Sequence, residues 1–364
     1  MSIRDLKLKM SEGKKELIAS GIKFSICIPN YNYAHYIGET IQSVLDQSYQ
    51  NFEIIVADNA SEDNSTKVVR SFRDKRVRIL VNQLNIGFSP NLDKATQSAV
   101  GDYIILLSSD DIMKSGALEE YAKIINRNNG NINDLVIMSG CDVVDSEGKT
   151  FDEKKPMTGD VINFLMREGN DVIEYQECKY EGLYILQGLL IGRFQPAGQF
   201  LTTCFSKSLY EKVEGYNSVL SVWPDAHFSH KLLFENPEVI FLNKKLFGYR
   251  VHDQNNLAAV EQMKDIKSLV DGYHLTLLYP ERLLRKLGLE QENLRKAFIK
   301  NICLSPSLYS LFRGNFAKPF AHLMFAFASY PRTTLRIWQG YLIFFMLPFA
   351  PLLRLLTLGR KLRK

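Results

Sequence analysis

Residues 102–111 read DYIILLSSDD, an apolar run that stops on two adjacent carboxylates. A strand covered by helices on both faces is continuously apolar rather than alternating, so Tyr103, Ile104, Ile105, Leu106 and Leu107 are expected to form a buried parallel strand. Asp110 and Asp111 then fall at or just past its carboxyl end. Ligands of open α/β sheets bind in the crevice outside such ends, which makes the two acids candidates to hold a divalent cation or to position a polar substrate. On their own they read first as caps of the helix that begins near Ser115.

The chain upstream changes that weighting. FSICIP at 24–29 is a short strand, ended by Pro29 because proline cannot donate to a ladder. The loop NYNYAHY leads into a helix over 37–45 with Ile37, Ile41, Val44 and Leu45 on one face. FEIIVA at 52–57 is a second buried strand ending on Asp58, followed by the turn and cap residues DNASEDNST and a helix over 67–72. A third strand at 77–81, the loop NIGFSPN and a helix over 92–99 complete the series. Strands alternating with short helices predict βαβ units and a parallel sheet. The first turn, IPNYN, has no GxGxxG, and no GxxxxGK[ST] loop follows any strand, so backbone amides of a glycine loop cannot cradle a phosphate here. A nucleotide on this sheet would need another means of neutralising its phosphates. A metal at Asp110 would supply one, with Asp58, Asn30 and Tyr31 on the same carboxyl edge.

In that order and spacing, SICIPNYN, IIVADNASEDNS, NIGFSPNLDKA and YIILLSSDD resemble the nucleotide-sugar-binding half of the family 2 glycosyltransferases, closely over 24–125 and more loosely to 256. The resemblance implies an α/β glycosyltransferase A-type fold, a Rossmann-like, mostly parallel sheet flanked by helices. It implies inverting transfer from a UDP- or dTDP-sugar. By the same resemblance Asp58 hydrogen-bonds the nucleobase, Pro29 and Tyr31 line its pocket, Asn30, Asn59, Ser108, Ser109 and Asp111 belong to the donor site, and Asp110 ligates Mn²⁺ or Mg²⁺. Two positions depart from the family. Ser108 stands where an aspartate often opens the D-x-D triplet; its hydroxyl can bond a ribose but brings no charge to a metal. Asn59 stands where a second aspartate is common.

Further along, 135–139 reads as a fifth strand, and CDVVDSEGKTF as a hairpin turning at Glu147 and Gly148. Residues 152–194 have little periodicity and are expected to shape an acceptor cleft. FLTTCFSKSLYEKVEGYN resembles the family's acceptor-side hairpin and helix, and SVWPDAHFSHKLLFE places Asp225 where the family has its catalytic base. An acidic pair is usual there, whereas here Pro224 precedes a single aspartate. Spacing alone reads Asp225 as the cap of a helix over 226–234. Tyr249, Arg250 and His252 in GYRVHDQNN resemble a segment that closes over the donor and lends a histidine to the metal; a packing histidine is the competing reading.

The 364 residues, 46% hydrophobic and 23% charged, describe a folded chain of about two domains. The expected divisions are an N-terminal helical lead at 1–22, a catalytic domain at 23–256 with donor half 23–140 and acceptor half 141–256, and a helical region at 257–364. A net charge of +5, without basic stripes interleaved with aromatics, speaks against nucleic acid as a partner. Five scattered cysteines without a CxxC pair argue against a disulfide framework or structural zinc and fit a reducing compartment. The first twenty residues lack the apolar core of a signal peptide. Near the other end, the uncharged run 337–353 falls just short of a bilayer span and contains Gln339, Pro348 and Pro351. With Trp338, Tyr341 and the cluster Arg354, Arg360, Lys361, Arg363 and Lys364, it suits an element lying in the interface of an anionic membrane. A helical hairpin buried in a homo-oligomer is the alternative.

Together these readings predict a metal-dependent transferase, peripheral to the cytoplasmic face of the cell membrane. It would move a sugar to a hydroxyl of a lipid-linked glycan acceptor in cell-surface polysaccharide synthesis, with Asp225 as base. The alternatives are a sugar nucleotidyltransferase, whose glycine- and arginine-rich phosphate loop is missing from IPNYNYAHY, and a decayed sugar-binding scaffold.

Overall fold

Each apolar run of the first hundred residues forms a strand. β1 (Phe24–Asn30) and β2 (Phe52–Asp58) are buried along their whole length, as is β4 (Tyr103–Leu106), while β3 (Val77–Val81) is a half-exposed edge. The four are parallel in the order β3-β2-β1-β4, with Asn30 beside Asp58 at the carboxyl ends of β1 and β2. β1 runs through Pro29 to Asn30. The Cys27 carbonyl accepts from Leu107 N at 3.0 Å on the β4 side. Pro29, two residues on, faces that same side, where the pairing has ended, so its missing N–H costs no ladder bond.

The computed structural model describes residues 21–128, 134–150, 177–192, 202–216, 220, 223–252, 261–312 and 317–346. Nearly all of the expected lead and most of the 152–194 segment lie outside them. Among the described residues the sheet has nine strands. Beyond β4 come β5 (Ile112–Met113), β6 (Leu135–Val144), β7 (Glu177–Glu181), β8 (Thr203–Ser206) and β9 (Glu238–Arg250), and the sheet continues from β4 as β8-β6-β9-β5, with β7 also on β9. Pairing here is mixed: β6 and β9 are parallel, while β8, β5 and β7 run antiparallel to their neighbours. The stretch 203–212 is therefore a strand and a helix (Lys207–Lys212), with β8 inserted between β4 and β6 rather than folded as a hairpin. The turn after β6 closes through Gly148 N to the Asp145 carbonyl at 3.0 Å.

Helices α1 (Ile37–Leu45), α2 (Ser65–Ser71), α3 (Phe88–Gln97) and α4 (Ala117–Arg127) connect the strands. α1 buries Ile37, Ile41 and Val44, and α4 buries Leu118, Tyr121 and Ile125, in one cluster with Phe24, Ile26, Ile54, Ile105 and Leu107. Each of the large aliphatic and aromatic side chains contributes about 1.5–3 kcal/mol by leaving water. At Gly101, where the chain enters β4, a Cβ would stand 2.7 Å from the Lys23 carbonyl, so backbone packing requires glycine.

The chain divides into two compact units. The first, residues Met1–Leu186, Phe194–Val219 and Pro224–Asn255, holds the sheet; the second comprises Gln187–Arg193, Leu220–Trp223 and Asn256–Lys364. The expected division at 140/141 falls inside β6, where its register against β9 shifts. The second unit is helical, with a core of Leu269, Phe298, Ile299, Cys303, Leu304, Leu323, Ala326 and Ile343. Helices Ala317–Ser329 and Trp338–Met346 thus contribute to that core. Among the described residues no helix is long and apolar enough to cross a membrane.

Candidate functional site

Three neighbouring parallel strands, β2, β1 and β4, end together, and the polar residues that follow them form the site. Asn30 and Asp58 are both buried. Asn30 Nδ2 donates to Asp58 Oδ1 at 2.8 Å, Ser61 Oγ donates to the same oxygen at 2.6 Å, and Ser61 N donates to Asp58 Oδ2 at 3.0 Å. The loop after β1 is stitched to the loop after β2: Asn32 N donates to Ser61 Oγ, Glu62 N to Asn32 Oδ1, and Ala34 N to Asp63 Oδ2. Asn32 and Ala60 turn these loops with left-handed backbones, φ 58° and 62°. Tyr31 projects from the edge, 39% exposed, while Pro29 is buried within β1.

Asn59 serves a different end. Its Nδ2 donates to Asn85 Oδ1 at 2.8 Å and to the Gly87 carbonyl at 3.2 Å, and its Oδ1 accepts from Asn82 Nδ2 and Ile86 N. Asn82 continues to Asn91, which donates to the Ala57 carbonyl at 2.7 Å. This asparagine network holds the loop that precedes α3. The structure therefore gives Asn59, expected at the donor, a positioning role in the loop.

Past β4, the residues 108–111 are held from behind. Thr40 Oγ1 on α1 reaches the Ser109 and Asp111 carbonyls at 3.0 and 2.9 Å, and the Ser108 carbonyl accepts from Asp111 N. Arg250, at the end of β9, is fully buried. Its Nε donates to the Asp110 carbonyl at 2.7 Å, one terminal nitrogen to the Ser146 carbonyl at 2.8 Å, and the other to Glu39 Oε2 at 2.6 Å, while its guanidinium lies 5.1 Å from the Tyr36 ring centroid. Its backbone N–H donates to Asp111 Oδ1 at 2.9 Å. Asp111 and Ser109 are both buried, Asp111 held through its carboxylate and Ser109 through its carbonyl.

Asp110 faces His252, with Oδ2 and Nε2 3.1 Å apart. The imidazole lies 4.4 Å from the Tyr36 ring and edge-on to Tyr33 at 5.9 Å. Burial raises the Asp110 carboxyl, against the hydrogen bond and charge of His252; burial and the neighbouring Asp110 raise that of Asp111. The buried Asn30 Oδ1 has no hydrogen-bond partner, an uncommon condition in a folded interior.

Asp110 and His252 fit a divalent ion in part. Two adjacent ligands of an ion at about 2.1 Å stand roughly 3 Å apart, the spacing seen here. Among the described residues no third His, Cys, Asp or Glu joins such a group. The pair suits a cation that completes its shell with water and ligand oxygens, as Mg²⁺ does beside phosphates.

Asp225 occupies the first turn of the helix Pro224–Phe234. Desolvation by the surrounding protein raises its carboxyl pKa; burial, and after it the Asp225 charge, raises the Tyr216 phenol. Tyr216 packs on Phe228, centroids 4.7 Å apart, and on Phe88 at the start of α3. Asp93 of α3 accepts from Tyr216 N at 2.7 Å, joining that turn to α3. Arg250's clamp, Glu39 and Thr40 carry no sequence signal beyond an arginine two residues before His252.

Comparison with known proteins bears on family and fold. Residues 25–180 match the profile of Glycosyl transferase family 2. An uncharacterized glycosyltransferase of Nostoc sp. is 24% identical over 278 residues, 73% of this chain and 77% of that one. The UDP-Glc:alpha-D-GlcNAc-diphosphoundecaprenol beta-1,3-glucosyltransferase WfgD of Escherichia coli is 38% identical over 105 residues, 29% of this chain and 42% of its own length. Among solved structures, S. aureus TarS 1-349 in complex with UDP-GlcNAc superposes with a TM-score of 0.59 at 15% identity, covering 92% of this chain and 88% of that one, a likeness of fold.

Proposed function

The chain is a family 2 glycosyltransferase, and on that premise we propose that it moves a sugar from a nucleoside diphosphate to a hydroxyl of a lipid-linked saccharide, with inversion at the anomeric carbon. The observation that carries this reading is the alignment of Asn30, Asp58 and the Asp110–His252 pair along the ends of three adjacent strands. Neighbouring strands lie about 4.8 Å apart, so three ends span roughly 10 Å, enough for a base over β1 and β2 and a diphosphate at β4. The partnerless Asn30 Oδ1 offers an acceptor to a donor N–H or O–H, and exposed Tyr31 offers a ring face. A uridine donor is supported by the UDP-GlcNAc complex of TarS, and a lipid diphosphate acceptor by the name of WfgD. A dTDP-sugar would meet the same groups.

In this reading Asp110 and His252 hold Mn²⁺ or Mg²⁺. The ion, when bound, stabilises charge on the departing diphosphate as a Lewis acid, an effect of roughly several kcal/mol. Asp225 takes the proton of the acceptor hydroxyl as its oxygen attacks the anomeric carbon, worth about 10² to 10⁴ in rate. Arg250 and Thr40 fix the Asp110 backbone so that its carboxylate does not follow the reacting groups. Cell-surface polysaccharide synthesis at the cytoplasmic face of a membrane is the setting that suits such an acceptor.

The test is a panel of nucleotide sugars, with and without Mn²⁺, on the native chain and two variants. Asp110→Asn is expected to lose both transfer and donor hydrolysis while keeping its fold. Asp225→Asn is expected to lose transfer by at least about a hundredfold with donor affinity near native. Metal-stimulated activity retained by Asp110→Asn would overturn the metal assignment; collapse of donor affinity in Asp225→Asn would make that residue a binding group. A native chain inert toward every donor would favour the decayed scaffold.

A further inference from the structure

We infer that the outward face of the helix Trp338–Met346 docks on an anionic lipid bilayer. This goes beyond the transfer reaction and holds whatever the acceptor is. The helix is apolar on its outward side as well as its inner one. At about 100° per residue, Gln339, Gly340 and Ile343 share one side, and all three are buried. The opposite side presents Trp338, Tyr341, Phe344 and Phe345, exposed by 65%, 48%, 64% and 66%. Ile343 enters the helical core with Gln339 and Gly340 beside it, and the aromatics face outward. Those four rings leave on the order of 500 Å² of apolar surface in water, as large as the biggest patch on a typical monomer. Leu335, half exposed just before the helix, extends it. Trp and Tyr are residues of the membrane interface, where an apolar ring and a polar edge are both satisfied.

Charge decides the occupant. Residues 293–364 contain twelve Lys and Arg and no Asp or Glu, so the rest of the chain is net −7 against +5 overall. Arg332 and Arg336 are exposed immediately before the aromatic helix, Arg336 lying 3.9 Å from Glu292. A second copy laid on this face would oppose like charges, as would the segment 347–364 with its own five basic residues. An anionic lipid surface answers both the apolar and the charged features.

The test is cosedimentation of the full chain with vesicles of phosphatidylcholine alone and of phosphatidylcholine mixed with phosphatidylglycerol. The native chain is expected to bind the anionic vesicles more tightly, with salt weakening but not abolishing binding. Trp338→Ser with Phe345→Ser should weaken binding at least about tenfold, and Arg332→Gln with Arg336→Gln should reduce the preference for anionic lipid. All of these substitutions lie on exposed positions, and circular dichroism would report a lost fold. Transfer to a short soluble acceptor should be unchanged in both variants, so the reaction and the docking are read separately. Native protein that ignores anionic vesicles, or aromatic variants that bind like the native chain, would overturn the inference. A variant that turns an oligomer into a monomer with vesicle binding intact would assign the face to a second copy.

Discussion

Asn59 donates from its carboxamide to Asn85 and to the Gly87 carbonyl, two bonds that a carboxylate cannot make. That explains the departure from the aspartate common at this position: in this chain the residue ties down a loop, and the loop is built of amides that need a donor at its centre. Glu53 shows the complementary case, a buried acid whose neighbours keep it charged. Burial alone would raise its carboxyl, but the Ser25 hydroxyl at 2.7 Å, the Val100 amide at 2.8 Å and the Arg78 guanidinium at 2.8 Å outweigh it and lower the pKa. A carboxyl with a depressed folded pKa stabilises the protein above its unfolded value and ceases to do so as pH falls through the folded one. Glu53→Gln should therefore cost about 1–3 kcal/mol at neutral pH. In thermal melts the gap to the native chain should narrow as pH drops below about 4; a gap that stays constant with pH would mean that packing, not charge, holds the amino ends of β1, β2 and β4.

The strand β9 is the element through which the far half of the sheet reaches the site. It carries Arg250 to a point where one guanidinium joins the Asp110 carbonyl, the Ser146 carbonyl and Glu39, partners 140, 104 and 211 residues away in sequence. A lysine has a point charge and no planar fork, so Arg250→Lys cannot satisfy these acceptors together. Each one left unmade should cost about 1–3 kcal/mol. Thermal melts should show the loss, and kcat should fall as the Asp110 backbone loosens; native stability and turnover in this variant would show that β9 does not anchor the site. The same element marks the limit of what the sequence disclosed. β1, β2, β3 and β4 were legible because buried parallel strands are unbroken apolar runs. β9 was not, because Asn243, Lys244 and Lys245 interrupt it near the register shift against β6. β6 is legible only to Ser139, as Gly140 and Asp142 end its apolar run although its pairing continues to Val144. β5, at two residues, is too short to have a period. Asp58, Asp110 and His252 could be singled out by their places after apolar runs and in matching segments. Thr40 and Glu39 could not, since on α1 they are ordinary helix residues until the fold sets them against β4 and β9.

At the scale of the whole molecule, the two units differ in kind as well as in sequence: one is a sheet carrying the acids of the site, the other a helical unit ending in an acid-free segment. A truncation meant to isolate the transferase has to respect the second core. Leu323, Ala326 and Ile343 pack there with Phe298 and Leu304, so a cut ahead of residue 317 would strip that core and confuse misfolding with loss of a membrane contact. Cutting after Met346 avoids this among the described residues. It removes Arg354, Arg360, Lys361, Arg363 and Lys364 and no acid, taking the net charge from +5 to 0 while leaving the Trp338–Met346 aromatics in place. Each basic residue near an anionic surface contributes about 1 kcal/mol, less in salt. The shortened chain should therefore bind phosphatidylglycerol vesicles more weakly, and with a shallower salt dependence. Binding to neutral vesicles should hardly change, and transfer to a soluble acceptor should persist. Vesicle binding as tight and as salt-sensitive as that of the full chain would place the electrostatic term elsewhere, on Arg332, Arg336 and their neighbours; a collapse of the melting temperature would show that residues 347–364 belong to the folded core.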